Sequence, residues 1–367
     1  MAVNYVHLIP TLDAGGAERQ LCNLAISEQA AGLQPKVVVL SDKMTALRLE
    51  LEHASVDVSA YQLSGVAGLF NIIKLLSSLI RLNRHNYVLA AWMYHSCFIS
   101  LFVKLLHPKL RIFWMIRRTE IPNGLTGLIC RLNSKFSRLV PDVIVSNSLS
   151  GLNSHVKAGY CSERFVHIPN IIDCNKFVPT DNKALLRNKL NIPDNARVFA
   201  CVARYAPVKG HLELLQALKT IKDENFVCLL VGRGVKEAKP LAQLLSELVE
   251  SGRVQVLGES SDVASIIPAL DFLVMPSLSE GFPNVVAEAM ACGVPCIVTD
   301  VGEAAVVVDE WGSIVRPGDY LILADSVKRW LECPIRELEW RGNKARMSIL
   351  ERYASDSIIS AYRSALK

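Results

Sequence analysis

The fold is most evident from the stretch Met275-Pro-Ser-Leu-Ser-Glu-Gly-Phe-Pro-Asn-Val-Val-Ala-Glu-Ala-Met290. The apolar run that ends at Met275 predicts a short buried strand, and the residues from Asn284 onward predict a helix. Pro283 suits the first position of that helix, because a proline lacks the backbone N–H that would be unpaired there. The stretch therefore predicts a strand, a loop and a helix, which is the repeating piece of a parallel α/β sheet.

The same alternation of short apolar strands and amphipathic helices extends over the chain in two runs. Examples in the first run are a predicted strand at Asp57–Leu63 and a predicted helix at Gly68–Leu82, and the second run includes a predicted helix at Val235–Ser251. This alternation requires parallel sheets that are covered by helices on both faces. We therefore predict an α/β protein with two doubly wound, Rossmann-like domains.

The two runs are separated by Ile168–Pro179, where two prolines and several Asn and Asp residues predict a linker. A length of 367 residues also fits two domains. We predict an N-terminal, acceptor-binding domain at residues 1–172, a C-terminal domain at 173–352, and a C-terminal helix at 353–367 that returns to the first domain. Ligands of such sheets bind beyond the carboxyl ends of the strands, so two facing domains would form a cleft.

Composition excludes several classes of protein. With 51% hydrophobic and 20% charged residues, the chain is globular rather than disordered. No apolar run is long enough for a transmembrane helix, and the N-terminus has no secretory signal pattern. The ten cysteines include no Cys-x-x-Cys pair, which favours reduced thiols in the cytoplasm over disulfides or zinc.

Charge is distributed unevenly along the chain. Residues 1–172 contain 17 Lys and Arg against 10 Asp and Glu, a net charge of +7, whereas residues 173–367 contain 23 against 25, a net charge of −2. A basic first half suggests an anionic partner such as phosphate, nucleic acid or an acidic membrane surface. A basic surface that only maintains solubility is the alternative.

Two loops that follow predicted strands contain features of phosphate-binding sites. Gly15 and Gly16 let the backbone approach a ligand at the start of a helix, whose free N–H groups attract anions, although a simple tight turn explains the same glycines. In the loop Cys201–His211, Arg204 and Lys209 present a guanidinium fork and an ammonium that can converge on a diphosphate. A solvated loop with incidental charges is the alternative here.

The third loop is the most informative. At the start of its helix, the amides of Asn284 and Val285 point toward the place of an anion. Glu280 lies in the loop and Glu288 about one turn inside the helix, so both carboxylates face the cleft and can accept hydrogen bonds from hydroxyl groups. Their spacing alone is common by chance, but within the stretch around Pro283 it is specific.

These motifs identify a resemblance. They are Gly15-Gly16-Ala17-Glu18, Ile168–Asp173, Arg204 with Lys209-Gly210, Val231–Gly234, Met275–Ser277, Glu280–Met290, Gly293–Pro295 and Gly302-Glu303. Together they resemble the family-4 retaining glycosyltransferases of the GT-B fold (glycosyl transferases group 1), over essentially the whole chain. The sequence departs from the family at Ile171, where a glycine commonly follows the Asn, and at Tyr205–Val208, where a leucine and an acidic residue are common.

The resemblance implies that the second domain binds a nucleotide-sugar donor. Arg204 and Lys209 would hold the diphosphate, and Glu288 would bind the ribose hydroxyls. The loop at residues 15–16 would close onto the phosphates from the opposite domain. Such enzymes require no metal, because the two cations and the helix termini replace it. UDP is the first expectation for the nucleotide and GDP the second.

The resemblance also implies the groups around the transferred sugar. Glu280, with the amides of Gly281 and Phe282, would bind that sugar. His95 follows a predicted strand and, by the same resemblance, would face the donor sugar, although a buried histidine bonded to the backbone is the alternative. The catalytic set is then His95, Arg204, Lys209 and Glu280, and sugar transfer would retain the anomeric configuration by front-face attack.

The acceptor is less well defined by the sequence. Arg117 and Arg118, just past a strand end, are candidates to bind a phosphate-bearing acceptor. Helices of mixed apolar and basic character, around residues 68–84 and 98–118, would fit peripheral docking at the cytoplasmic face of an inner membrane to reach a lipid-linked saccharide. Packing of the same helices against their own sheet is the alternative. The implied setting is bacterial lipopolysaccharide, O-antigen, capsule or exopolysaccharide biosynthesis.

Two other functions remain as alternatives. An NAD-dependent oxidoreductase could use Val231–Gly234, but Glu237 stands where the third glycine of a dinucleotide-binding motif belongs. A non-catalytic nucleotide-sugar-binding subunit would lose first-domain groups, whereas Gly15, Gly16 and His95 are all present. Nucleic acid is not an expected partner, because there is no recognition motif and the second half is nearly neutral.

Overall fold

A computed structural model describes residues 4–13, 15–63, 67–81, 87–222, 225–260 and 262–366. The chain divides into two compact units, the first comprising Met1–Ile171 with Ser355–Lys367 and the second Ile172–Ala354. The divisions therefore fall one residue before the predicted boundary at 172 and two residues after that at 352.

The first unit is built around a parallel sheet of seven strands in the order β3-β2-β1-β4-β5-β6-β7. The strands are β1 (Asn4–Ile9), β2 (Lys36–Val39), β3 (Asp57–Ala60), β4 (Tyr87–Trp92), β5 (Arg111–Ile116), β6 (Val143–Ser146) and β7 (Phe165–His167). The helices of this unit are α1 (Gly16–Ala30), α2 (Ala46–His53), α3 (Ala67–Arg81), α4 (Met93–Leu106), α5 (Gly124–Phe136) and α6 (Leu149–Lys157).

Both faces of this sheet are buried, which explains why its strands are almost continuously apolar. On β5, Phe113 and Met115 belong to an apolar layer shared with α1 and α2. The alternate residues Ile112, Trp114 and Ile116 belong to the layer on the opposite face, shared with α3, α4 and α5. The two-residue side-chain period of a strand thus supplies both layers at once.

The second unit is built around a parallel sheet of six strands in the order β10-β9-β8-β11-β12-β13. The strands are β8 (Arg197–Val202), β9 (Phe226–Val231), β10 (Val254–Gly258), β11 (Phe272–Met275), β12 (Cys296–Thr299) and β13 (Ser313–Val315). The helices are α7 (Lys183–Lys189), α8 (His211–Thr220), α9 (Ala242–Glu250), α10 (Val263–Ile266), α11 (Asn284–Ala291), α12 (Ala304–Val308), α13 (Tyr320–Glu332) and α14 (Ile335–Arg352).

In each sheet the strand order reverses once. The first chain segment winds outward from β1 to β3, and the chain then returns to the other side of β1 at β4; the second sheet repeats this pattern with β8 and β11. Loops that follow the two strands at such a reversal diverge and leave a crevice at the carboxyl ends, where ligands of this class of sheet bind. The switch point of each unit is therefore the place to look for its site.

The last helix, α15 (Ser355–Ser364), belongs to the first unit. Its Ile358 and Ile359 join the apolar layer of α1 and α2, and the hydroxyl oxygens of Ser27 and Ser355 lie 3.0 Å apart. The helix α15 is thereby packed on the same face of the first sheet as α1 and α2. Over the described residues, none of the helices has both the length and the apolar character needed to cross a bilayer.

Candidate functional site

A pocket of about 300 Å³ opens at the switch point of the second sheet, beyond the carboxyl ends of β8 and β11. It is lined by Cys201, Val202, Ala203, Arg204, Lys209, Val274, Met275, Pro276, Ser277, Glu280, Phe282, Pro283, Asn284 and Val285. The loops after β8 and β11, which are far apart in sequence, thus supply one site.

The charged groups of the pocket are already in contact with each other. The ammonium of Lys209 lies 2.7 Å from Oε1 of Glu280, and the hydroxyl of Ser277 donates to the same carboxylate oxygen at 2.7 Å. The Glu280 side chain is 12% exposed and that of Lys209 24% exposed. An ion pair shielded to this extent is stronger than one on an open surface, and it fixes both side chains against the pocket wall.

Gly210 brings the two loops together. Its φ of +69° is in the left-handed region, and a Cβ at this position would overlap the carbonyl oxygen of Pro276. Nearby, the amide of Leu278 donates to the carbonyl of Val208 at 2.7 Å. The glycine of the Lys209-Gly210 motif therefore allows the β8 loop to lie directly on the β11 loop, which places Lys209 beside Glu280.

Gly302 supports the opposite side of the Glu280 turn. Its φ is +58°, and a Cβ here would lie 2.5 Å from the carbonyl oxygen of Glu280 and closer still to that of Gly281. The following residue, Glu303, donates its amide to the Gly281 carbonyl at 2.9 Å. The Gly302-Glu303 motif thus packs against and stabilises the backbone turn that presents Glu280 to the pocket.

The helix α11 begins at Asn284, where the sequence predicts it, but Pro283 does not occupy its first position. Pro283 is the N-cap rather than the first helical residue, and the amide of Asn284 donates to the carbonyl of Phe282 at 3.1 Å. That amide is engaged in a tight local turn, so Pro283 serves to shape the entry to the helix. The Phe282 ring is buried against Tyr353, with centroids 5.4 Å apart, which leaves its backbone for the pocket.

Glu288 is half-buried on α11, one turn beyond Asn284 on the same side of the helix. It is not among the described residues that line the pocket. Its carboxylate contributes to raising the pKa of Cys292, an effect that is caused mainly by burial of the thiol. Glu288 therefore lies one helical turn beyond Asn284, which does line the pocket.

The net charge of the pocket comes from three side chains. Arg204 is exposed on the loop after β8, and its guanidinium adds a second cation to the Lys209–Glu280 pair. Burial raises the pKa of the Cys201 thiol to about 12, and burial lowers the pKa of His211 next to Lys209. Cys201 and His211 are thus neutral near pH 7, and two cations against one carboxylate leave the pocket selective for anions.

Gly15 and Gly16 lie at the switch point of the first sheet, where Gly15 is the N-cap of α1 and Gly16 its first residue. A Cβ on Gly15 would overlap the carboxylate of Glu18, which folds back over the start of the helix. A Cβ on Gly16 would meet open space. The Glu18 carboxylate therefore lies at the start of α1, where the backbone amides carry a partial positive charge.

His95 lies in the first turn of α4, at the same switch point, and is half-buried. The turn that presents it is unusual, because Met93 has a φ of +64° although it is not a glycine. The neighbouring Tyr94 is anchored: its hydroxyl lies 2.8 Å from Nε2 of His155, and its carbonyl accepts from Asn133 at 2.9 Å. Strained backbone held by buried partners is typical of functional positions.

The two arginines proposed for the acceptor differ in the structure. The guanidinium of Arg117 stacks 4.9 Å from the centre of the Trp92 ring and donates to Asn170 at 3.2 Å and to the hydroxyl of Tyr362. These contacts tie β5 to the linker and to α15, so Arg117 has a structural role within its unit. Arg118 is exposed and remains the candidate for an acceptor.

Sequence reasoning missed the groups that support the site. Ser277 is buried and bonded to Glu280, and Thr299 holds the Ser277 carbonyl through its hydroxyl. The sequence also does not indicate that Tyr94 contacts His155 and Asn133, because the three residues lie on different helices. Among the described residues, no group of three or more His, Cys, Asp or Glu is placed to hold a metal ion.

Comparison with known proteins shows the fold of the chain and the family that its second unit matches. A crystal structure of Anabaena HepE in complex with UDP superposes with a TM-score of 0.85 at 20% identity, covering 99% of each chain. Its complex with UDP-glucose gives a TM-score of 0.83 at 21% identity, covering 100% of this chain and 99% of the other.

Among curated proteins, the N-acetyl-alpha-D-glucosaminyl L-malate synthase of Bacillus anthracis is 28% identical over 274 residues, 73% of this chain and 70% of the relative. The UDP-Gal:alpha-D-GlcNAc-diphosphoundecaprenol alpha-1,3-galactosyltransferase of Escherichia coli is 35% identical over 139 residues, 36% of each chain. Residues 182–347, almost all of the second unit, match the family model "Glycosyl transferases group 1". The second unit thus matches the group 1 glycosyltransferases, and the chain has the GT-B fold of the structures on which it superposes.

Proposed function

We propose that this chain transfers a sugar from a nucleotide-sugar donor, in the first instance a UDP-sugar, to a saccharide or lipid-linked saccharide acceptor. The observation that supports this most is the convergence of Arg204, Lys209 and Glu280 in one pocket at the switch point of the second sheet. Two cations match a diphosphate, and a carboxylate beside them matches the hydroxyl groups of a sugar.

In this proposal the nucleotide diphosphate binds to Arg204 and Lys209, with the start of α11 at Val285 providing further positive potential. Glu288 accepts hydrogen bonds from the ribose hydroxyls, one helical turn away. The loop with Gly15 and Gly16 closes over the phosphates. Closure would need Glu18 to move, because its carboxylate lies over the helix start that a phosphate would approach.

The transferred sugar would bind between Glu280, the amides of Gly281 and Phe282, and His95. Transfer proceeds on the front face of the sugar with retention of configuration, and the leaving diphosphate oxygen accepts the proton of the acceptor hydroxyl. No protein nucleophile or metal is required in this scheme. The main task of Arg204 and Lys209 is to stabilise the negative charge that develops on the leaving diphosphate, a preorganised electrostatic effect.

The acceptor is proposed from the relatives. The name of the E. coli relative describes transfer to a sugar on diphosphoundecaprenol. A comparable lipid-linked saccharide, with Arg118 on its phosphate, fits the basic first unit of this chain. The setting we propose is bacterial lipopolysaccharide, O-antigen, capsule or exopolysaccharide synthesis, at the cytoplasmic face of the inner membrane.

The test is a donor screen. The purified chain is incubated with UDP- and GDP-sugars, with and without chelator, and released nucleoside diphosphate is measured alongside the anomeric configuration of the product by NMR. We expect turnover of one donor in the presence of chelator, with retained configuration. Arg204→Ala and Lys209→Ala should each reduce turnover about 10²–10³-fold, as loss of one charged donor does. An inverted product, or full turnover in both folded variants, would contradict the proposal.

A further inference from the structure

An unusual surface lies on the helix layer formed by α3, α4 and α5. Large apolar side chains on these three helices are exposed, among them Leu105 (77%) and Leu125 (73%). Others are Phe70, Ile73, Phe102 and Leu128. Burying such groups is favourable, and soluble proteins seldom expose large continuous apolar areas without a function.

The three helices form one continuous layer. The buried sides of α3, α4 and α5 contribute Leu75, Leu101 and Cys130 to the same apolar layer on one face of the first sheet. Their outer sides therefore lie next to one another. On the described part of the opposite helix layer, α2 exposes one large apolar residue, Leu49, and α1 and α15 none. The apolar exposure is thus a property of one face, not of the unit as a whole.

The charged side chains of these three helices have one sign, although Lys104 is paired at 3.3 Å with Asp142, the residue before β6. Helices α3, α4 and α5 contain five Lys or Arg residues, namely Lys74, Arg81, Lys104, Arg131 and Lys135, and no Asp or Glu. In the sequence, the 62 residues from Val58 to Thr119 contain eight Lys or Arg and no Asp or Glu. By contrast, α1 and α2 contain four glutamates in 23 residues, of which Glu28 is buried against His7 and the other three reach the surface. Among the helices compared, α3, α4 and α5 therefore lack acidic residues, whereas α1 and α2 do not.

From these two observations we propose that the outer face of α3, α4 and α5 docks on an anionic phospholipid bilayer. The apolar side chains would enter the boundary between headgroups and acyl chains, while the ammonium and guanidinium groups would lie level with the lipid phosphates. A lipid bilayer fits better than a protein partner, because a face of three helices with only cations matches a uniformly anionic surface.

This docking face deepens the proposed function, since it would bring the first unit to the surface in which a lipid-linked acceptor is embedded. It does not depend on donor chemistry, because vesicle binding needs neither donor nor acceptor. The two can therefore fail separately: a chain that binds vesicles but no nucleotide would contradict the proposed function alone.

The test is flotation with vesicles of phosphatidylcholine alone or mixed with phosphatidylglycerol. We expect the wild type to bind the mixed vesicles, and raised salt to weaken binding. The double variants Leu105→Asp/Leu128→Asp and Arg131→Glu/Lys135→Glu should each bind the mixed vesicles at least tenfold more weakly. The first pair removes apolar side chains that would enter the bilayer, and the second removes basic groups that contribute to the free energy of membrane binding. Thermal unfolding of the same samples, followed by circular dichroism, should match that of the wild type and shows that the variants are folded.

Matched controls test whether vesicle binding is specific to this face. Two variants should bind vesicles like the wild type: Leu49→Asp, on the other helix layer of the same unit, and Lys328→Glu/Arg329→Glu, at two exposed positions of α13. Absence of wild-type binding to the mixed vesicles, or equal losses in the controls, would overturn the proposal. So would light scattering that shows a wild-type dimer split by Leu105→Asp/Leu128→Asp, because the face would then be a contact between copies of the chain.

Discussion

The Lys209–Glu280 pair makes an unusual prediction, namely that removing a proposed binding residue should tighten the binding of nucleotide alone. The Lys209 ammonium lies 2.7 Å from the Glu280 carboxylate. A diphosphate that binds Lys209 must compete with the Glu280 carboxylate and is also repelled by it. Glu280→Gln keeps the size and hydrogen-bonding oxygen of the side chain but removes its charge.

The magnitude follows from the burial of the pair. Exposed ion pairs contribute about 0.2–1 kcal/mol, and hydrogen bonds to charged groups about 1.5–3 kcal/mol. With side chains 12% and 24% exposed, this pair lies between the two cases. Removing the Glu280 charge should therefore make the free energy of nucleotide binding more favourable by about 1 kcal/mol. The dissociation constant of UDP or GDP, whichever the wild type prefers, should therefore fall roughly fivefold. Sugar transfer should fall, because the charged acceptor of sugar hydroxyl hydrogen bonds is lost.

The assay is calorimetric titration of nucleoside diphosphate into the wild type and three variants. Ser277→Ala removes the hydrogen bond from the Ser277 hydroxyl to Glu280 and keeps the ion pair, so it should not tighten binding. Glu247→Gln breaks an exposed pair with Lys219 elsewhere in the second unit and should have no effect. Unchanged or weaker nucleotide binding in Glu280→Gln would refute the competition between carboxylate and diphosphate.

Three further predictions concern backbone, positioning and stability. Gly302→Ala should lower thermal stability and nucleotide affinity more than Gly252→Ala. Both glycines have a positive φ, but only at Gly302 would the added Cβ meet backbone carbonyls. Equal losses in the two variants would show that this contact is unimportant. Tyr94→Phe should reduce kcat with little change in donor KM, since it releases the turn that presents the proposed catalytic histidine; a loss confined to KM would contradict that role. Arg117→Ala should lower the unfolding free energy by about 2–3 kcal/mol through lost ring stacking and hydrogen bonds, whereas Arg118→Ala should leave stability unchanged and raise acceptor KM.

The local part of the fold could be predicted from the sequence. Strands buried on both faces are strongly apolar, so β4, β8 and β11 stand out, and their alternation with helices dictates parallel sheets. Less apolar elements were missed: α2 and α7 are short and polar, and nothing in their pattern separates them from loops. Both owe their stability to tertiary contacts, which a local pattern does not contain.

Element ends were the weaker part of the prediction. The helix predicted at Val235–Ser251 is a loop and a short 3₁₀ turn at Lys239–Leu241 followed by α9, because Pro240 cannot donate a helical hydrogen bond. The strand predicted at Asp57–Leu63 ends at Ala60. The helix predicted at Gly68–Leu82 is α3, which ends at Arg81, and Leu82 lies outside the described residues.

The candidate site was likewise predictable where the signal is local and not where it depends on tertiary contacts. Arg204, Lys209 and Glu280 were found because charged residues directly after strands are rarely needed for packing, and the structure brings all three to one pocket. The bond between Lys209 and Glu280 could not be foreseen, since it joins residues 71 positions apart through the close approach at Gly210. The contact of Arg117 with Tyr362 spans 245 positions, and no local pattern separates such an arginine from a binding residue.

If the second unit binds a nucleoside diphosphate through its own cations, binding should depend on Arg204 and not on a metal. Calorimetric titration with UDP and with GDP, without magnesium and then with it, tests this for the wild type and Arg204→Ala. We expect one nucleotide to bind with a micromolar dissociation constant, independently of magnesium, and Arg204→Ala to abolish the binding. No binding of either nucleotide to the wild type, or undiminished binding to the folded variant, would contradict this expectation.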